Sequence, residues 1–134
     1  AVGFVKGFGL KAGAIASCVA HDSHNIIAVG GDDASICTVV NKVIDQKGGI
    51  AAALHSFVLG LELAVAGIMS NQNGHVVAKQ YSLIDHFART DLKSPLRAPF
   101  MTLSFMALPV IPTLKMTDKG LFDGKKFEWT PLFC

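Results

Sequence analysis

Ala14 to Val29 reads AIASCVAHDSHNIIAV: two apolar runs, Ala14 to Ala20 and Ile26 to Val29, flanking five consecutive polar residues. Both runs lack charge and are built from small and β-branched residues, which suits strands buried on both faces. Upstream, Val2, Phe4, Phe8 and Leu10 alternate with Gly3, Gly7 and Gly9, a spacing that predicts a further strand over Val2 to Leu10. Lys11-Ala12-Gly13 is the turn that would pair it antiparallel with Ala14 to Ala20.

Downstream of these strands the period changes. Ile36, Val39, Val40, Val43 and Ile44 share one face of a helix, which Asp32 and Asp33 cap and Gly48-Gly49 ends. Strands follow over Ile50 to Leu54 and Phe57 to Val65, joined near His55-Ser56. After the loop Asn71 to Gly74, Val77, Tyr81, Ile84 and Ala88 mark a second amphipathic helix ending near Arg89. Pro99 opens a short helix that Pro109 closes, and Asp118-Lys119-Gly120 is a hairpin turn before Leu121 to Phe133. The order of elements predicts one α+β (or α/β) domain over residues 1–134, with a mostly antiparallel or mixed sheet flanked by helices.

Of the 134 residues 51% are hydrophobic and only 16% charged, and the mean hydropathy is +0.45, whereas about a quarter of a typical soluble domain is charged. Disorder is excluded. A formal charge of +2, with neither sign in a long block, gives no electrostatic footprint for nucleic acid. So few charges cannot easily coat a free-standing globule, which implies that another surface covers part of this one or that a segment lies in a membrane. The membrane candidate, Gly48 to Met69, contains His55, Glu62, Gly60 and Gly67, which interrupt it and would be costly in hydrocarbon. Two buried strands explain the run better, with Glu62 facing outward. Ala1 to Leu10 carries no signal-peptide pattern, so a cytoplasmic location is expected, with no membrane. The odd cysteines, Cys18, Cys37 and Cys134, form no C-x-x-C pair and suit a reduced compartment. Cys18 and Cys37 are expected as small buried hydrophobes and Cys134 as exposed.

The one dense polar cluster is His21, Asp22, Ser23, His24 and Asn25. These side chains could ligate a metal, act as a general base or contact a polar heterocycle. On an extended strand His21, Ser23 and Asn25 would point away from Asp22 and His24, so the two histidines converge only if the segment is a loop. Two imidazoles also leave a catalytic metal short of its usual three protein ligands. Three roles stay open: a self-contained metal site, a network pinning nearby backbone, or the lining of a site whose chemistry is mounted elsewhere. His55, His75 and His86 are scattered, and neither a nucleophile elbow, a P-loop nor a dinucleotide fingerprint occurs. Phe100 to Met106 is expected to supply packing or interface surface.

Three strings, Gly3 to Gly30 (GFVKGFGLKAGAIASCVAHDSHNIIAVG), Leu61 to Ser70 (LELAVAGIMS) and Pro99 to Phe133, closely resemble the C-terminal domain of bacterial adenine deaminases, members of the amidohydrolase superfamily. The resemblance spans Val2 to Phe133, with departures at Ala12 and over Leu54 to Phe57. It implies hydrolysis of adenine to hypoxanthine and ammonia by a binuclear Mn or Fe centre in a TIM-like barrel. The barrel's H-x-H ligands are absent from these residues, so the resemblance implies a partner in the protein's own N-terminal barrel domain, a homo-oligomer, and no catalytic residue or cofactor in this segment. It further implies that His21 to Asn25 face the barrel's mouth or support residues that do. A non-catalytic purine-binding or regulatory module is the alternative. If a barrel covers this domain, an exposed apolar patch should lie near His21 to Asn25 or Phe100 to Met106.

Overall fold

A computed structural model describes residues 1–133. The two apolar runs around the polar cluster form β1 (Ala14–Ser17) and β2 (Ile27–Gly30), paired antiparallel with Ile15 opposite Val29. On its other edge β1 pairs with β3 (Ile50–Leu54), which pairs with β4 (Phe57–Leu61), giving the order β2-β1-β3-β4 with every pair antiparallel.

Both faces of this sheet are covered, which is why its central strands read as continuous apolar runs. One face is made of small residues, Ala14, Ala16, Cys18, Ala51 and Ala53, against which α1 (Asp33–Asp45) packs Val39 and Val43. On the opposite face Ile15, Ile50 and Ala52 meet α2 (Gly74–Thr90) and α3 (Pro99–Phe105) through Ile84, Ala88, Phe100 and Leu103. A second antiparallel sheet, β5 (Leu114–Thr117), β6 (Gly120–Asp123) and β7 (Glu128–Thr130), lies beside these layers, with Met116 N–H donating to the Met106 carbonyl. The predicted α+β domain is present, with two antiparallel sheets in place of one.

Local chemistry sets the element ends. Asp32 caps α1, its carboxylate accepting from the Ser35 N–H and hydroxyl, each at 2.8 Å. At the other end the Gln46 amide donates to the carbonyls of Gly48, Ile50 and Leu61, tying the helix exit to β3 and β4. Asn73 caps α2 through His75 N–H, and Pro99 stands in the first turn of α3.

Several expectations are corrected. Val2 to Leu10 is not a strand: Gly9 adopts φ 65°, outside the extended region, and the segment is held by Lys11 N–H donating to the Leu92 carbonyl and by the Ser94 hydroxyl donating to that of Phe8. β4 stops at Leu61, and the residues up to Met69 fold into a turn closed by a bridge between Val65 and Met69. The final segment after the predicted turn at Asp118 and Lys119 supplies β6 and β7. Cys37 is exposed on α1, whereas Cys18 is buried, donating to the Gly67 carbonyl and accepting from Gly49 N–H. Glu62 is exposed, as predicted. Cys134 lies outside the described residues.

Candidate functional site

His21 to Asn25 form the loop between β1 and β2, so the strict alternation of a strand does not apply to them. His24 N–H donates to the Ala20 carbonyl at 2.7 Å and His24 adopts φ 53°, folding the loop back on itself. The two imidazoles are thereby brought to a ring-centroid distance of 6.4 Å. His21 is half-buried and its ring stands edge-on to Phe105 at 5.2 Å, while Asp22, Ser23, His24 and Asn25 are exposed. None of the five side chains makes a hydrogen bond among the described residues, so their polar atoms point to solvent or to a surface beyond this chain.

The residues present do not fit a binuclear metal centre. Among the described residues no group of three or more His, Cys, Asp or Glu could hold a metal ion, and His21 with His24 supplies too few ligands for a catalytic site. His55, His75 and His86 lie on other elements, at the β3–β4 turn and on α2.

Beside the loop lies a cleft of about 710 Å³ between the sheet, α2 and α3, open on one side. Its floor comes from Ser17, Ile50 and Leu61; its walls come from Val77 and Tyr81 on α2, Phe100 and Met101 on α3, and Ile68 and Met69 in the turn after β4. His21 is one of its lining residues, so the loop and the cleft adjoin. No Asp, Glu, Lys or Arg lines it. Burial pushes the Tyr81 phenol above its ordinary pKa, and the Asp85 carboxylate adds to the effect, so the hydroxyl stays a neutral donor at neutral pH. The cleft has the size and the mostly apolar lining, with a few polar atoms, of a small-molecule site.

Residue patterns alone flagged the loop but missed the cleft. Tyr81 read as part of the apolar face of one helix and Phe100 as packing or interface surface on another, and only the packing of α2 beside α3 brings their rings to 6.4 Å. Ser17 gave no signal, because a serine inside an apolar strand does not disclose which face it occupies.

The adenine deaminase C-terminal domain family model matches residues 1–128. Over 129 residues the chain is 57% identical to an adenine deaminase of Sulfurovum, covering 96% of this chain and 24% of that protein. It is 54% identical over 133 residues to the adenine deaminase of Methanosarcina acetivorans and 50% identical over 133 residues to that of Salinibacter ruber, in each case covering 99% of this chain and 24% of the relative. The chain thus spans about a quarter of the length of the curated relatives it matches. A match along nearly the whole chain, at identities of half or more, shows that the chain belongs to the adenine deaminase C-terminal domain family.

Proposed function

We propose that this chain serves as the C-terminal quarter of an adenine deaminase, which hydrolyses adenine to hypoxanthine and ammonia. In that role the loop His21 to Asn25 and the mouth of the adjoining cleft meet the rest of the enzyme, a TIM-like barrel carrying a binuclear Mn or Fe centre. The observations that carry the proposal are the family-model match over residues 1–128 and relatives of which the chain covers only 24%, which leaves about three quarters of the enzyme to supply the barrel. Two features of the molecule support the placement. The loop presents four exposed polar side chains with no partner among the described residues, and beside it the apolar residues Met69 and Met101 are each about half exposed. A surface of that kind is costly to leave in water and gains by being covered.

In this arrangement the chain's residues orient and enclose. His21, buttressed by Phe105, holds an imidazole at the cleft mouth, where it can accept or donate one hydrogen bond to substrate or to a barrel residue. No proton transfer through a metal is assigned to residues of this chain. The test replaces the C-terminal quarter of the Sulfurovum adenine deaminase with this chain and measures ammonia released from adenine. The joined protein is expected to retain deamination, and the enzyme truncated before this domain to lose it. Unchanged activity in the truncated enzyme would overturn the proposal.

A further inference from the structure

β2 is an edge strand, bonded to β1 alone. With Ala14 opposite Gly30 and the Gly31 N–H donating to the Gly13 carbonyl at 2.9 Å, the bonded pairs fall at every second position, Ile15 with Val29 and Ser17 with Ile27. Ala28 and Gly30 therefore turn their N–H and C=O groups away from β1, to the free side. Among the described residues no hydrogen bond reaches them there.

The other sheet edges carry features that discourage pairing. The Met116 N–H of β5 already donates to the Met106 carbonyl. Only three residues long, β7 lies between Lys125-Lys126 and Pro131, and the Lys42 side chain lies against Gly60 of β4. Ile26-Ile27-Ala28-Val29-Gly30 has neither a charge nor a proline. Two pockets of about 250 and 230 Å³ adjoin along this edge; Ala28 borders both, with Val29 and Gly30 at one and Ile26 and Ile27 at the other. Both faces of the sheet contribute to their walls, Ile36 of α1 to each pocket, Phe8 to the first and Ala107 to the second, so the space lies off the edge and not over a face. Asp118 is the one charged side chain in the two linings.

This geometry selects the occupant. Unpaired backbone groups beside apolar space are satisfied by an added strand, whose main chain bonds the edge while alternate side chains fill the pockets. Because apolar walls flank the edge on both faces, both sets of side chains must be apolar. A second copy's β2 does not fit: Met116 of β5 lines both pockets, so the edge is recessed beside the second sheet, and two recessed edges cannot enter one another as a symmetric pair requires. A single extended segment can enter. The relatives carry about three further quarters of chain, and Ala1 itself lines the second pocket, so chain joined ahead of it enters beside the edge at the high effective concentration of an intramolecular partner.

We propose that the free edge of β2 receives an extended, apolar segment of about five residues from the rest of the enzyme, which adds to the sheet as its fifth strand. The source of the segment rests on the deaminase role proposed above; its extended form and apolar character rest on the edge and its pockets.

The test is hydrogen exchange resolved to single amides by electron-transfer fragmentation, on the Sulfurovum enzyme whose C-terminal quarter is replaced by this chain. The Ala28 and Gly30 amides are expected to exchange as slowly as that of Val29, which is turned inward to Ile15. Ile26→Lys, at a position 39% exposed, places an unpaired charge beside the edge and should speed exchange at Ala28 and Gly30 at least about tenfold, with Val29 still slow as the sign that the sheet is intact. Ile26→Val, which keeps the pocket apolar, should leave all three unchanged. Fast exchange at Ala28 and Gly30 beside a slow Val29 in the parent protein would overturn the proposal, as would protection that Ile26→Lys leaves untouched. Protection that fades on dilution would show a second copy at the edge and overturn it too. Deamination by the joined enzyme with Ala28 and Gly30 open would overturn the added strand and leave the deaminase role standing; protection without deamination would do the reverse.

Discussion

Gly49, at the exit of the turn between α1 and β3, has φ 89°, and a Cβ there would collide with the Leu61 carbonyl oxygen of β4. Both the dihedral and the space demand glycine. Gly49→Ala should therefore cost at least about 2 kcal/mol, seen as a lower urea midpoint with an unchanged slope. Asp32 behaves differently because its contribution depends on charge. The Ser35 N–H, together with the Ser35 hydroxyl, holds the Asp32 carboxyl below the ordinary carboxylate range. A carboxyl whose pKa is lowered on folding stabilises the native state above its unfolded pKa, near the ordinary aspartate value of 3.8, and loses that contribution as the pH falls through the folded value. Melting followed from pH 6 down to pH 2 should show a larger loss in the parent chain than in Asp32→Asn, which keeps an amide cap; both share the loss from Asp123, whose carboxyl the Lys125 and Lys126 N–H groups likewise hold below the ordinary range. If both proteins lose stability in parallel, the cap does not contribute through its charge.

The helices show how much of the fold was legible and why the rest was not. Periodicity located α1 and α2 because an amphipathic helix repeats its apolar residues, and the buried residues Val39, Val43, Ile84 and Ala88 all belong to the predicted faces. Ile44 was assigned to the buried face of α1 but is 55% exposed although Val43 beside it is fully buried, because it stands about 100° round the helix from Val43, at the edge of the apolar stripe. The segment Val2 to Leu10 imitates a strand because glycine is invisible to a hydrophobic alternation while being free to leave the extended region. The polar loop was legible as a break between two apolar runs, yet its fold-back, which juxtaposes His21 with His24, depends on a backbone conformation that composition does not encode. Packing differences along α2 are measurable. Ile84→Ala, in the core between α2 and the sheet, should cost about 2–5 kcal/mol, whereas Leu83→Ala, one residue away at 60% exposure, should fall within about 0.5 kcal/mol of the parent in the same denaturation experiment. Similar losses at both positions would contradict the assigned faces.

The whole molecule accounts for a composition that is poor in charge. Part of the apolar content is consumed by a sheet covered on both faces. Part stays at the surface, where Met69 and Met101 line the cleft and Phe105 stands against His21, in the region where an exposed apolar patch was expected. A second exposed group, Phe127 and Trp129, lies on the β5-β6-β7 sheet and was not anticipated. Among the described residues no helix is long and apolar enough to cross a membrane, and Gly48 to Met69 is resolved into β3, β4 and the following turns. The family supplies a different reason for apolar surface, because relatives carry three further quarters of chain. The account's central claim is that the loop His21 to Asn25 and the cleft mouth form the face turned to that remainder. Amide hydrogen exchange compared between the 134-residue chain and the same chain joined to the preceding three quarters of the Sulfurovum enzyme tests it most directly. Slower exchange in the joined protein is predicted over 20–25, 68–82 and 99–106; unchanged exchange there, or protection confined to the outer face of α1, would contradict it.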